Sequence, residues 1–439
     1  MKIAVIGAGS TYTPELLDGL LDRLAALGIE RVALHDIAPE RLEPVAAFCR
    51  RLARRKGGEA AAGAGAIVHT TDLGQALDGA RFVVVQLRVG GQAARSADIE
   101  RCLRRGLVGQ ETTGMGGLAK ALRTIPVIAG LALEIARRAP DAWVLNFTNP
   151  AGLITRAWLR LGHARALGLC NLPADLNAHC AAALDLPRER VRLDYAGLNH
   201  LSWARRVLVD DAGGGAAADR TAAAVERLAA DPERCRRALG FAYPREFLAG
   251  LGAIPCGYLR YYYATAHEVA RLRAAPRNRA EEVLEIEREL FAWYADPARD
   301  EKPPALAKRG GAGYSRIAAG LVSALCDDRP VREIVNVENR GALPDLPDDA
   351  VVEIPVLLSR RGAEREPLRP LEPPLRALVE PVRAYEDLAL AAGLALAEGD
   401  PAAARRLAIQ AAVVHPLGPD APEAPALIDE ILSAAGPRP

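Results

Sequence analysis

The chain reads as an α/β protein: an N-terminal doubly wound parallel sheet followed by an α+β domain. Three observations carry that reading. Short, near-continuous apolar strands alternate with helical spacing through the first third, as in a parallel sheet covered on both faces. A glycine turn, Gly7-Ala8-Gly9-Ser10, links the first strand to a helix, the layout of a Rossmann-like dinucleotide domain. Beyond about residue 175 the alternation loosens. The expected division is therefore 1–175 for a nucleotide-binding domain and 176–439 for a substrate, metal and oligomerisation domain.

In order, Lys2–Ile6 is a compact apolar strand, and Pro14 suits a helix start before Glu15-Leu16-Leu17. Arg31–His35 is the second strand and closes on Asp36. Further strands are expected at 66–69, 82–87, 143–147 and 166–170. Later, 191–197, 206–209 and 351–357 read as strands, whereas 216–239, 281–294 and 375–397 have helical spacing. Gly213-Gly214-Gly215 reads as a flexible connector, and the tail from Gly436 as frayed.

Composition narrows the functional classes. The 56 Lys and Arg residues against 55 Asp and Glu leave a formal charge of +1, so nothing suggests a nucleic-acid partner. No apolar run is long enough to span a bilayer, and the N-terminus reads as a strand rather than an export signal. The seven cysteines are odd in number, scattered and without a CxxC pair. A disulfide framework is not expected, and a reducing cytoplasm is.

In the glycine turn, Gly7 permits the tight bend and Gly9 lets the backbone approach phosphates at a helix N-terminus. The third glycine position of the fingerprint holds Tyr12. Asp36 stands where a carboxylate can accept hydrogen bonds from adenosine ribose hydroxyls, which favours NAD over NADP. Three further segments carry more polar chemistry than packing requires: 95–117, which contains Gly109-Gln110-Glu111-Thr112-Thr113-Gly114; Asn146-Phe147-Thr148-Asn149-Pro150; and the pairs Cys170-Asn171 and Asn199-His200. Two of these lie at predicted strand ends, where ligands gather in open α/β sheets. Cys170 and His200 are a thiol and an imidazole that could ligate one divalent ion. Taken alone, such a cysteine is more often a buried small hydrophobe and such a histidine a structural residue. The segment 254–263, with Tyr258, Tyr261, Tyr262 and Tyr263, reads equally as an aromatic core face.

The ordered set GAGSTYTPELL, RVGG with Arg95 and Asp98, GLVGQETTGMGGLAKALRTIP, NFTNPAG, GLCN, GLNHLSW, IPCGYLRYYY and HPLG resembles glycoside hydrolase family four. These are NAD- and metal-dependent glycosidases, an exception to two-carboxylate hydrolysis, and the resemblance is nearest to their 6-phospho-β-glucosidase branch. It implies that NAD⁺ oxidises the sugar at C3, a base removes the acidified C2 proton, the aglycone leaves by elimination, water adds, and the hydride returns. It implies Cys170 and His200 as ligands of a divalent metal, Mn²⁺ above all, and Tyr258 as the C2 base. It also implies Asn149 at the sugar hydroxyls, Ser10 at phosphate or cofactor, and Arg95 and Arg279 at the substrate 6-phosphate. Arg279 reads equally as an exposed helix arginine. Relatives acting on α-glucosides carry an aspartate after the metal cysteine. Asn171 stands there and cannot protonate a leaving group, which implies β-glucosides such as cellobiose 6-phosphate or aryl β-glucoside 6-phosphates. A homodimer or homotetramer is the implied assembly. The competing readings are a malate- or lactate-type NAD dehydrogenase and a non-catalytic NAD/sugar-phosphate sensor.

Overall fold

The computed structural model describes residues 1–62, 66–211, 215–309 and 314–434. Gly213 and Gly214 of the expected connector, and the tail from Gly436, lie outside the described residues. The first six strands are β1 (Lys2–Ile6), β2 (Arg31–His35), β3 (Ile67–Thr70), β4 (Ala80–Val85), β5 (Trp143–Asn146) and β6 (Ala166–Gly168). They pair in parallel in the order β3-β2-β1-β4-β5-β6. Apart from the edge strand β3, their side chains are almost continuously buried because helices cover both faces. The strand order reverses between β1 and β4, and the carboxyl ends beside that point form the natural ligand crevice.

A smaller antiparallel sheet follows, made of β7 (Val191–Leu198), β8 (Leu201–Val209), β9 (Ala218–Asp219) and β10 (Ile254–Pro255). Strand β8 begins five residues before the expected 206. The helix expected over 216–239 is instead β9 followed by two helices, Thr221–Ala229 and Pro232–Leu239. Proline at 232 disfavours helical backbone at Asp231, and the Asp231 carboxylate caps the second helix by accepting from Glu233 N and Arg234 N at 2.9 and 3.1 Å.

The chain then returns to the large sheet. Strands β11 (Val331–Glu338), β12 (Val351–Ser359) and β13 (Gly362–Arg365) add antiparallel to the β6 edge. Among the described residues the sheet thus has nine strands, three of them from beyond residue 175. One hydrophobic core runs through both parts, joining Val5 and Leu145 to Val352, Ile354 and Val379 of the helix Pro373–Glu398. No helix among the described residues is long and apolar enough to cross a membrane.

Candidate active site

The glycine turn is shaped by close approach. Gly7 has φ +87°, and a Cβ there would stand 2.7 Å from the Gln86 carbonyl oxygen. Gly7 N and Ala8 N donate to His35 O at 2.9 and 2.8 Å, which binds the turn to the end of β2. Gly9 N donates to Asp36 Oδ2 at 2.8 Å, and Ala38 N donates to Oδ1 at 3.1 Å. The carboxylate is held in place while each oxygen keeps a lone pair to offer. Ser10 Oγ accepts from Tyr12 N at 3.2 Å, leaving its proton available to a ligand. Ile37, next to Asp36, lines the same cleft and is 85 % exposed. An apolar side chain held in the open beside a carboxylate suits a flat heterocycle, and nothing in the local sequence marks it out.

At the end of β5, buried Asn146 folds the following loop. Its Nδ2 donates to Thr148 O at 3.2 Å and Ala151 O at 3.3 Å, and its Oδ1 accepts from Thr148 N at 3.1 Å. The Thr148 hydroxyl accepts from Leu87 N at 2.8 Å and donates to Val85 O at 3.2 Å, tying the loop to β4. Asn149 is thereby turned into the cleft. Cys170 follows β6 and is 6 % exposed. His200 occupies the two-residue turn between β7 and β8 with φ +65°, a left-handed conformation uncommon for a non-glycine residue and often retained at functional sites. The turn brings His200 Nε2 to 3.5 Å from Cys170 Sγ. Tyr258, just after β10, stacks its ring on the imidazole.

The donor pair fits a divalent ion. Two ligands on one ion with bonds of about 2.0–2.3 Å stand roughly this far apart, and a soft sulfur with an imidazole suits a borderline transition metal. Burial pulls His200 down to about 3, so the ring is neutral and keeps a lone pair. Burial pushes the Cys170 thiol well up, so it carries its proton until a cation stabilises the thiolate. Among the described residues no group of three or more His, Cys, Asp or Glu side chains is placed to hold a metal. Two protein donors leave coordination positions for ligand oxygens.

The floor of the cleft carries excess positive charge. Glu111 is contacted by Arg88, by Arg95 at 3.1 Å and by Lys120 at 3.2 Å. Burial opposes its charge, yet Lys120, Arg88 and Arg95 together hold its carboxyl well below the usual range. Arg88 and Arg95 alone outnumber this one anion, while burial pulls Lys120 down to about 7. The buried Arg95 Nε has no hydrogen-bond partner, as expected of a group waiting for an anionic oxygen. Arg279 stands at the exposed rim. It pairs with Glu282 at 2.9 Å and donates to Lys308 O and Arg309 O, both at 3.2 Å. Asn171 Nδ2 donates to Asp175 Oδ2 at 2.7 Å.

One cleft of about 1260 Å³ is lined by Gly7, Gly9, Ser10, Asp36, Arg95, Asn149, Asn171, His200, Tyr258 and Arg279. Cys170 lies behind His200. The sequence alone assigns no role to Arg88, Glu111 or Lys120; Arg88 is signalled only by its place three residues past the carboxyl end of β4.

Fold and cleft together define a class: an α/β protein of dinucleotide-binding topology with a thiol–imidazole pair beside a cationic pocket. The family model for family 4 glycosyl hydrolases matches residues 2–186, and that for the family's C-terminal domain matches 195–418. The "Probable 6-phospho-beta-glucosidase" of Bacillus subtilis is 37% identical over 99% of this chain and 96% of its own length. The 6-phospho-beta-glucosidase BglT of Thermotoga maritima is 35% identical over 99% and 98%. The Thermotoga maritima 6-phospho-beta glucosidase solved with manganese, NAD+ and glucose-6-phosphate superposes with a TM-score of 0.85, at 34% identity and 99% and 98% coverage. The chain belongs to family 4 of the glycosyl hydrolases.

Proposed function

We propose that the protein hydrolyses 6-phospho-β-glucosides using NAD and a divalent metal, with Mn²⁺ the first choice. The observation that carries this is that His200 and Tyr258 line the same cleft as the glycine turn and the cationic floor, with Cys170 Sγ 3.5 Å from His200 Nε2. When bound, NAD supplies a hydride acceptor and donor for C3, and the divalent ion supplies a Lewis acid for the neighbouring oxygens.

The remaining work falls to side chains. Asp36 receives the adenosine ribose, and Gly9 admits the pyrophosphate. Cys170 Sγ and His200 Nε2 hold the metal. Arg95 takes the substrate phosphate with its fork of donors, Arg279 assists from the rim, and Ser10 contributes at phosphate or cofactor. Asn149 and Asn171 orient the sugar. Tyr258 removes the C2 proton. Burial first, and then the neighbouring Tyr261, Glu111 and Cys170, raise its hydroxyl above the ordinary value, so its action as a base depends on positive charge beside it. Described cysteines are all unpaired, in keeping with a reducing cytoplasm where sugar phosphates are retained; a homodimer or homotetramer belongs to the same proposal.

Family membership favours this reading over a hydroxyacid dehydrogenase or a sensor. With NAD⁺, Mn²⁺ and a thiol reductant, the protein is expected to hydrolyse p-nitrophenyl β-glucoside 6-phosphate without accumulating NADH. Absence of hydrolysis of any phosphorylated or free glycoside overturns the proposal; stoichiometric NADH would return the dehydrogenase.

A further inference from the structure

The protonation state of His200 can be deduced from a chain of hydrogen bonds that begins at the backbone. Thr112 N–H donates to the Gln110 side-chain amide. A backbone N–H can only donate, so the amide atom facing it is Oε1. On the other side Gln110 Nε2 then stands 3.4 Å from the Tyr258 hydroxyl, which can accept from it. The Thr112 hydroxyl lies 2.8 Å from the same Oε1, an atom that only accepts, so the single hydroxyl proton is committed there. Thr112 Oγ1 also lies 2.9 Å from His200 Nδ1. With its proton spent, the hydroxyl can only accept, so Nδ1 must carry the hydrogen. Nε2 is then left bare, facing Cys170 Sγ.

We propose that Gln110 and Thr112 are positioning residues that lock His200 in its Nδ1–H tautomer, aiming the Nε2 lone pair at the metal position. The inference rests on the metal reading above for its purpose, though not for its geometry. Partners on the second nitrogen of a metal-binding histidine commonly fix both tautomer and ring orientation. Here the partner is a hydroxyl made acceptor-only by a glutamine, and the same glutamine turns its NH₂ toward Tyr258. The ligand histidine and the proposed base are thus oriented through one amide.

Two readouts test this. Nitrogen-15 spectra of histidine-labelled, metal-free protein, with the His200 signals assigned by their loss in His200→Gln, are expected to show a protonated Nδ1 and an unprotonated Nε2. Thr112→Val should populate the opposite tautomer and weaken Mn²⁺ binding, followed by electron paramagnetic resonance with NAD⁺ present, by roughly 10–100-fold. Thr112→Ser should restore both. A wild-type His200 protonated at Nε2 overturns the proposal whatever the variants do, as does a folded Thr112→Val with unchanged tautomer and Mn²⁺ affinity. If wild-type protein shows the Nδ1–H form, switches in Thr112→Val and yet binds no Mn²⁺, the metal reading fails while the lock stands.

Discussion

The imidazole of His200 lies nearly flat against the phenol of Tyr258, with ring centroids 4.1 Å apart and planes inclined by 19°. The two residues are 58 positions apart in the chain, and β8 with its partner β10 delivers both. If His200 holds the metal as proposed, this stack would hold the phenol oxygen near the substrate carbons that the metal engages.

Tyr258→Phe keeps the stack and removes only the hydroxyl. It is expected to lower kcat by about 10²–10⁴, the usual contribution of a positioned acid or base, and to suppress incorporation of solvent deuterium at C2. Tyr262→Phe, whose ring faces His415, should leave exchange intact. The opposite pattern identifies Tyr262 as the base.

Gly9→Ala would place a Cβ 2.8 Å from Asp36 Oδ2 and 3.0 Å from Arg41 Cβ. Either the carboxylate or the turn must move. NAD affinity, read by calorimetry, should fall by about 10-fold or more, equivalent to roughly 1.4 kcal/mol. Thermal stability should change less, because the added Cβ meets Asp36 and Arg41 rather than apolar core side chains.

Arg95→Ala removes a guanidinium whose Nε has no partner and leaves Glu111 paired with Arg88 and Lys120. The KM for p-nitrophenyl β-glucoside 6-phosphate is expected to rise by at least about 30-fold, in line with roughly 2 kcal/mol or more for a buried charged contact. The preference over unphosphorylated glucoside should shrink in parallel. Arg279→Ala should have a smaller effect, because that side chain is partly solvated and already bonded to two carbonyls. Equal preference before and after Arg95→Ala would remove Arg95 from the phosphate.

Acid should destabilise the fold through its buried histidines. His415 is 4 % exposed, accepts from Leu417 N at 2.9 Å, and is pulled down to about 3 by burial. An unfolded histidine titrates near 6.5. Below that pH the unfolded chain binds a proton that the folded one refuses, so stability present above pH 6.5 is lost as pH falls toward 3. At pH 5 this amounts to about 2 kcal/mol for such a residue. In urea unfolding, His415→Asn, which can still accept from Leu417, should shrink the loss between pH 7 and pH 5 by about that amount, whatever its effect at pH 7. An unchanged slope refutes the assignment.

The parts of the fold governed by local pattern were legible. The residues of β1 and β2 are buried almost without break, so their apolar runs match their bounds. Strand β11 was not foreseen, because VREIVNVE mixes charged and apolar residues. Its Asn336 is buried only because Glu353 and the Gly168 carbonyl accept from it, a long-range arrangement with no local sign. The broken helix after residue 216 was signalled by Asp231-Pro232. Site residues at strand ends followed from topology, and Cys170 with His200 from resemblance. The Glu111 floor was hidden because its cations come from three separate segments. The hydrogen-bond chain through Gln110 became visible only once Thr112 and His200 were seen together.

The late return of β11, β12 and β13 to the β6 edge bears on biogenesis. While a ribosome has released only the first half of the chain, β6 is a bare margin with unpaired amides and carbonyls, the kind of surface that recruits stray strands. That margin is not covered until residues 331–338 have emerged. A nascent chain arrested before that point is expected to depend on chaperones, and a gene split near residue 175 to yield fragments that become soluble mainly when made together.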